Sequence, residues 1–328
     1  MRTKCKVKAC AVAVVAGAVS VIGGAAAQEA SYPTKPVRFV VPYAAGGNAD
    51  VVSRILAARI SPSLGQQIIV DNRAGAGGNI GAEFAARAPA DGYTIVLGTN
   101  THAINMSLYA KPGYDLVKGF APVSLVSSAP LVLMVHPSVP AKNVRELIAL
   151  AKASPGKLNY GTGGSGSSAH IATELLKTQS GIDLVHVPYK GVAQATTDLI
   201  AGQVHVMFNA TSTALDHMRS KRVRGIAISS AKRSPLAPDL PTVAESGVPG
   251  YEALIWQGVL APAATPKTIV DRLHGEIVKA LASPELQKQF NAAGVIPISS
   301  TPGEFHAYLK SEAAKWAGVV KASGAKVD

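Results

Sequence analysis

The sequence predicts an α/β fold arranged in two lobes, and three observations lead to that prediction. Short runs rich in β-branched residues alternate with longer segments of helical period, which is typical of a parallel sheet covered by helices on both faces. The chain has 328 residues, which is long for one sheet of this kind. Hydrophobic residues make up 48% and charged residues 16%, which excludes a disordered chain and provides for a large buried core.

The predicted elements follow one another in that alternating order. Strands are predicted at 37–41, 67–70, 94–97, 131–135, 184–187, 204–208 and 225–228. Helices are predicted at 49–60, 80–87, 144–153, 168–179, 192–201, 214–219, 268–281, 284–291 and 302–321. Crossings between the lobes are expected at 129–131 and 252–256. They assign residues 28–130 plus 254–328 to lobe 1 and residues 131–253 to lobe 2.

Residues 1–27 have the pattern of an export signal. Four basic residues and no acidic residue occur in this segment, and an uncharged stretch ends in three alanines at 25–27. This order predicts a signal peptide that is removed near Ala27. A membrane anchor is the alternative, because the apolar stretch nearly reaches membrane-spanning length.

Composition and charge exclude several classes of function. Both cysteines, Cys5 and Cys10, lie in the predicted signal, so the mature chain is expected to have no disulfide, thiolate metal site or cysteine nucleophile. The formal net charge is +12, but residues 1–27 contribute +4 and the remainder has no run of five like charges. Aromatic residues make up only 5%, which argues against a stacking surface for single-stranded nucleic acid. No nucleic-acid partner is therefore predicted.

Two glycine-rich segments, at 42–50 and 160–170, each join a predicted strand to the start of a helix. The first N–H groups of a helix lack an intrahelical partner and carry partial positive charge, and glycine lets a ligand approach the backbone. We therefore expect each segment to bind an oxyanion, with hydroxyl groups of the second segment adding donors. The alternative is that both are ordinary strand-to-helix turns with helix caps.

Dinucleotide binding, metal binding and catalysis have less support from these segments. The glycines at 161, 163 and 166 match a dinucleotide-binding pattern, but the acidic residue expected after the next strand is missing. Residues 163–167 lack the last glycine of a serine nucleophile elbow. The eight histidines show no zinc-binding spacing, and neither segment contains a pair of carboxylates. The sequence predicts no catalytic residue, no metal ligand and no cofactor.

Motifs along essentially the whole mature chain resemble those of one known family. They are Y-P-x-K-P-V-R-F-V-V-P at 32–42, A-G-G-x-x-D at 45–50, V-x-N-R-x-G-A-G-G at 70–78, A-D-G-Y-T at 90–94, F-A-P-V-S at 120–124, Y-G-T-G from 160, H-V-P-Y-K-G at 186–191, L-P-T-V-A-E at 240–245 and W-Q-G at 256–258. Together they are similar to the substrate-binding receptors of tripartite tricarboxylate transporters, the Bug or TctC-like periplasmic proteins.

This resemblance implies a periplasmic-binding-protein fold of type II, a Venus-flytrap arrangement with a ligand cleft between the lobes. It implies a periplasmic receptor that captures a small organic carboxylate and delivers it to integral membrane permease subunits. It implies no enzymatic activity, and a monomer is expected. Two alternatives stay open: a secreted serine-dependent hydrolase using residues 165–170, and a ligand-binding partner of a periplasmic sensor.

The resemblance also places ligand-binding residues on both glycine-rich segments and after two further strands, at 99–102 and 209–211. The predicted residues are Tyr43, Ala44, Gly46, Gly47, Asn48, Asp50, Thr99, Thr101, Gly163, Gly164, Ser165, Gly166, Ser167, Ser168, His170 and Asn209. Asp50 is expected to bond backbone N–H groups of its own loop. Tyr43 and Asn48 depart from the family's usual residues, which leaves the far end of the ligand open. Amino acids, aromatic acids and aliphatic di- or tricarboxylates all stay possible.

Overall fold

The computed structural model describes Met1 and residues 32–324. Apart from Met1, the predicted export signal and its cleavage near Ala27 lie outside the described residues. The described strands are β1 (Val37–Val41), β2 (Ile68–Asn72), β3 (Thr94–Thr99), β4 (Phe120–Val135), β5 (Asn159–Thr162), β6 (Val185–Pro188), β7 (Val206–Ala210), β8 (Arg224–Ile228), β9 (Leu254–Pro262) and β10 (Ile296–Pro297). The described α-helices are α1 (Asn48–Leu64), α2 (Asn79–Ala86), α3 (Asn100–Leu108), α4 (Val144–Ala153), α5 (Ser168–Ser180), α6 (Val192–Ile200), α7 (Thr211–Arg219), α8 (Lys267–Leu281), α9 (Pro284–Ala292) and α10 (Pro302–Ser323).

The predicted helices and strands are confirmed, most with shifts of a few residues at their ends. Strand β4 begins eleven residues before the predicted strand at 131–135, and β9 and β10 were not predicted. Local chemistry explains several ends. Helix α4 begins after Asn143, whose side chain accepts a hydrogen bond from the Glu146 N–H. Helix α1 ends at Gly65, which has a left-handed φ of 82°. Helix α3 was not predicted, because its sequence N-T-H-A-I-N-M-S-L is largely polar and lacks a clear apolar period.

The sheet is mixed, so the prediction of a parallel sheet was wrong. Its strand order is β2-β1-β3-β9-β4-β7-β5-β6, with β8 and β10 also paired to β4. Strands β1, β2 and β3 are parallel, as are β5, β6 and β7, but β9 runs antiparallel to β3 and β4. Neither β9 nor the first half of β4 follows a helix in the predicted alternation, so the sequence pattern gave no signal for their direction.

Strand β4 changes its partners midway. Its first part, through Pro130, pairs with β9, and its second part, from Leu131, pairs with β7 and β8. The strands therefore form two groups that meet along β4. The first group contains β1, β2, β3, β9 and β10, and the second contains β5, β6, β7 and β8. This change falls at the crossing expected at 129–131; the complete lobe boundaries stay a prediction.

Helix α10 packs against α3, which follows a strand of the first group, and against α5, which follows a strand of the second group. Its Glu312 is 2% exposed and accepts hydrogen bonds from the indole nitrogens of Trp256 (2.8 Å) and Trp316 (2.9 Å). A buried carboxylate with such donors keeps its hydrogen bonds satisfied inside the core. No helix in the described part of the chain combines the length and the apolar character that a membrane span requires.

Candidate functional site

A cavity of about 470 Å³ lies between the two strand groups. All of the described residues that line it are uncharged. They are Tyr43, Gly47, Asn48, Ala49, Thr99, Asn100, Thr101, Ala129, Ser168, Ala210, Ser212, Thr213, Ile255, Gln257, Ala293, Gly294 and Val295. From the first group, the segment after β1, the end of β3 and the strand β9 contribute lining residues. From the second group, the starts of α5 and α7 contribute them.

Four helices begin at the wall of this cavity. Helix α1 presents Gly47 to Ala49, α3 presents Thr99 to Thr101, α5 presents Ser168, and α7 presents Ala210 with Ser212 and Thr213. Each helix start adds partial positive charge and N–H donors that point out of the helix. The cavity is therefore suited to an anion although no lysine or arginine lines it.

The four helix starts differ in how their first N–H groups are satisfied. The caps of α1 and α7, Gly47 and Ala210, make no side-chain hydrogen bond to the helix. At α5 the Ser167 hydroxyl accepts from the His170 N–H at 3.3 Å. At α3, Thr99 and His102 form a capping box, in which His102 Nδ1 accepts from the Thr99 N–H at 3.0 Å. The open donors thus belong to α1 and α7, which follow strands of different groups. The hydroxyls of Ser212 and Thr213 lie beside the start of α7.

The conformation of the first glycine-rich segment is fixed by hydrogen bonds to the carboxylate of Asp50. This carboxylate is 3% exposed, and it accepts hydrogen bonds from the Gly46 N–H (2.9 Å), Arg54 Nε (2.9 Å) and Asn72 Nδ2 (3.0 Å). The bond from Arg54, with those from Gly46 and Asn72, lowers the pKa of Asp50 to about 2. The expectation that Asp50 bonds its own loop is confirmed. Tyr43, Gly47 and Asn48 line the cavity, whereas Ala44, Gly46 and Asp50 do not, and the role of these three as direct ligand contacts stays a prediction.

The second glycine-rich segment is bonded within itself. The Gly164 N–H donates to Thr162 Oγ1 (3.2 Å), the Gly166 N–H donates to His170 Nδ1 (3.0 Å), and the Ser167 N–H donates to the Gly164 carbonyl (3.2 Å). Of the residues predicted on this segment, only Ser168 lines the cavity. Gly163, Gly164, Ser165, Gly166, Ser167 and His170 do not. Their role as direct ligand contacts stays a prediction.

Hydrogen bonds join several of the polar side chains at the cavity wall to one another. The Tyr43 hydroxyl lies 2.6 Å from Thr99 Oγ1, and burial raises the pKa of Tyr43, which keeps this phenol neutral. Asn100 Nδ2 donates to Ser168 Oγ at 2.9 Å and so joins the starts of α3 and α5. Burial lowers the pKa of His102 to about 4, so this imidazole supplies no positive charge at neutral pH.

Asn209 does not line the cavity. Its side chain is 3% exposed, its Nδ2 donates to Thr196 Oγ1 (3.0 Å), and its Oδ1 accepts from the Ala210 N–H (2.8 Å). The role as a ligand partner stays a prediction, and in this conformation Asn209 instead fixes the turn into α7.

Sequence reasoning missed several lining residues. They are Ala49, Ala129, Ser212, Thr213, Ile255, Gln257, Ala293, Gly294 and Val295. Asn100 and Ala210 also line the cavity, and they lie in the stretches at 99–102 and 209–211 that the resemblance indicated. Gln257 belongs to a quoted motif and so had a signal. The loop at 293–295 had none, because only the tertiary fold brings it to the cavity.

Residues 165–170 do not form a serine–histidine pair. The His170 ring accepts from the Gly166 backbone and stacks on His186 with 4.1 Å between ring centroids. Burial lowers the pKa of His170. Within residues 32–324 no group of three or more His, Cys, Asp and Glu side chains is arranged to hold a metal ion.

A larger groove of about 1070 Å³ lies elsewhere on the first strand group, and the three arginines that line it are ion-paired. Arg73 Nε lies 2.9 Å from Asp71 Oδ2, and Arg38 lies 3.8 Å from the same carboxylate oxygen. Lys35 also lines this groove, and its Nζ lies 4.4 Å from the centroid of the Tyr93 ring. The cavity between the strand groups is the better candidate, because four helix starts meet there.

Comparison with known proteins agrees with this geometry. Residues 52–325 match the family model described as tripartite tricarboxylate transporter family receptor. The periplasmic binding protein BugD is 37% identical, with a TM-score of 0.72 over 90% of this chain and 99% of that chain. Rpa4515 of R. palustris, solved with adipate, is 38% identical, with a TM-score of 0.75 over 90% of this chain and 100% of that chain. MatC from Rhodopseudomonas palustris, solved with bound malate, is 30% identical, with a TM-score of 0.72 over 88% of this chain and 100% of that chain.

These matches run along nearly the full length of both partners, so they concern the whole fold and not one motif. They bear out the predicted two-lobed periplasmic-binding-protein fold, in which a ligand cleft separates the lobes. The chain belongs to the tripartite tricarboxylate transporter receptor family, whose members are solute-binding receptors.

Proposed function

We propose that this chain is a periplasmic receptor that binds a small organic carboxylate in the cavity between its lobes and delivers it to the membrane permease subunits of a tripartite tricarboxylate-type transporter. The single observation that carries the proposal is the convergence of four helix starts on an uncharged cavity. The relatives solved with adipate and with malate support the carboxylate class. The proposal includes export with signal removal near Ala27, action as a monomer, and no catalytic role.

In the proposed mechanism the open N–H groups of α1 and α7 bind the same ligand from opposite sides. Helix α1 belongs to the predicted lobe 1 and α7 to the predicted lobe 2. A ligand that contacts both has higher affinity for the closed arrangement than for an open one, and this difference in affinity drives closure. The bond from Asn100 to Ser168 is a direct contact between the predicted lobes.

Thermal unfolding in the presence of mono-, di- and tricarboxylates tests this function. A ligand that binds only the folded protein stabilises it by RT ln(1 + [L]/Kd), which is about 2.7 kcal/mol at a hundredfold excess over Kd. At least one carboxylate should raise the Tm in a concentration-dependent way, and its uncharged amide should not. Absence of any shift across the whole set would contradict the receptor function, and hydrolysis of ester substrates by the purified protein would support the hydrolase instead.

A further inference from the structure

Asn48 makes two side-chain hydrogen bonds to distant parts of the chain. Its Nδ2 donates to the carbonyl oxygen of Ala293 at 2.9 Å, and its Oδ1 accepts from Gln257 Nε2 at 2.9 Å. Asn48 is the first residue of α1, and it stands at the wall of the cavity. Its amide is thus used to connect protein segments.

Gln257 ties this connection to the sheet. The side chain is 3% exposed, and its Oε1 accepts a hydrogen bond from Ser127 Oγ at 3.2 Å. Ser127 and Gln257 are paired residues of β4 and β9. We call the series Ser127, Gln257, Asn48 and the Ala293 carbonyl the amide relay. It runs from the rigid sheet to the loop at 293–295.

The loop at 293–295 forms part of the cavity wall. Ala293, Gly294 and Val295 all line the cavity. Gly294 has a φ of 76°, and a Cβ placed on it would lie 3.1 Å from Ser212 Oγ, so the loop lies directly against the start of α7. Val295 belongs to the same apolar cluster as Ala129 and Ile255, which also line the cavity. The relay therefore holds a wall that is apolar and closely packed.

We propose that Asn48 is a specificity-determining residue, which holds the 293–295 loop through the amide relay and thereby sets the length of carboxylate that the closed receptor accepts. This inference rests on the proposed function. Asn48 acts as a positioning residue here, because both polar ends of its amide are bonded to protein. A packed wall can discriminate strongly, since one methylene group too many or too few changes affinity by about tenfold or more.

Calorimetric titration of two series of straight-chain acids tests this inference. The probes are the monocarboxylates from acetate to octanoate and the dicarboxylates from succinate to suberate. The wild-type protein should show a sharp length optimum in one series, with affinity falling about tenfold per methylene beyond it. Asn48→Ala should flatten that fall by threefold or more and move the optimum to longer acids. The matched control is Asn291→Ala, the same substitution at an exposed position just before the loop, which should keep the wild-type profile.

Other results would overturn the inference. An equal loss of affinity for every acid in Asn48→Ala would show that Asn48 contacts the ligand or supports the fold in general. If this variant does not fold, Gln257→Leu breaks the same relay at its next member, and an unchanged length profile in that variant overturns the inference. Failure of the wild-type protein to bind any acid is a separate result, which removes the proposed function and this inference with it.

Discussion

The two glycine-rich segments have similar sequences around their glycines, yet the structure uses them differently. At the start of α1 the cap is Gly47, which makes no side-chain bond, and the loop before it is held by Asp50. At the start of α5 the cap is Ser167, and His170 Nδ1 accepts from the Gly166 N–H. Glycine content alone therefore does not indicate free backbone donors. The side chains within the next turn decide whether those donors are open.

The glycines themselves differ in the space around them. A Cβ on Gly47 would lie 3.5 Å from the Ala44 carbonyl oxygen, and its φ of −76° suits any residue. Gly166 has a φ of 77°, and a Cβ there would lie 2.3 Å from Leu108 Cδ2 of α3. Gly166 thus allows close packing between the predicted lobes, whereas Gly47 allows a ligand to approach the helix.

The largest expected effect is on stability, at Gly166. Gly166→Val should lower the free energy of unfolding more than Gly181→Val, because both glycines have positive φ but only Gly166 faces a packed side chain. The difference should be about 1–3 kcal/mol, the usual cost of overpacking. Urea unfolding without ligand measures both variants. Equal losses would show that the second segment is not packed against α3.

The next effect is on affinity, at Gly47. Gly47→Val should weaken carboxylate binding about tenfold or more, or about 1.4 kcal/mol, because the side chain covers the open N–H groups of α1 while the fold stays intact. Calorimetry with the best acid from the thermal screen measures this loss. Gly303→Val is the matched control, since Gly303 lies in the first turn of α10 with open space around it. A similar loss in the control would contradict a local effect.

A smaller effect on affinity is expected at the start of α7, and none is expected in the segment before α5. Ser212→Ala should weaken binding by about 0.5–1.5 kcal/mol, the net value of one hydrogen bond, because Ser212 lines the cavity. Ser165→Ala should leave affinity unchanged, because Ser165 does not line it. Calorimetric titration of both variants with one acid compares them directly. A loss of affinity in Ser165→Ala but not in Ser212→Ala would show that the second glycine-rich segment binds the ligand.

The smallest expected effect is a difference in pH dependence. His170 in the second segment and Asp50 in the first should stop contributing to stability over different pH ranges. The pKa of His170 is lowered from 6.5, so its contribution to stability is lost as pH falls below about 6.5. The pKa of Asp50 is lowered from 3.8 to about 2, so its contribution is kept to about pH 4 and lost between about pH 4 and pH 2. Urea unfolding across pH should show that Asp50→Asn reduces the loss of stability between about pH 4 and pH 2. His170→Gln should reduce the loss just below pH 6.5 without abolishing it, because burial also lowers the pKa of His102 and of His186. Identical pH profiles in the two variants would contradict these assignments.

Much of the fold could be predicted from the sequence, because apolar period and helix caps are local properties. The helix at 144–153 and the strand at 37–41 were predicted with their observed bounds. The direction of β9 could not be predicted, because pairing with β3 and β4 joins residues far apart in the chain.

The candidate site was predicted in part, for a similar reason. Tyr43, Gly47, Asn48, Thr99, Thr101 and Ser168 were predicted, and they do line the cavity. The bond from the Gly166 N–H to His170, and the turn of Asn209 toward Thr196, depend on side-chain rotamers in the packed protein. The loop at 293–295 reaches the cavity only through the fold, so no local pattern could reveal it.

Strand β4 belongs to both strand groups, with its partners changing between Pro130 and Leu131. A break in the chain at this point would therefore divide one continuous strand and place a new chain end inside each strand group. We expect that the halves cannot be produced as separate fragments that reassemble. Chimaeric receptors that exchange one lobe should be joined in loops outside β4 and β9, so that β4 and its partner β9 come from a single parent.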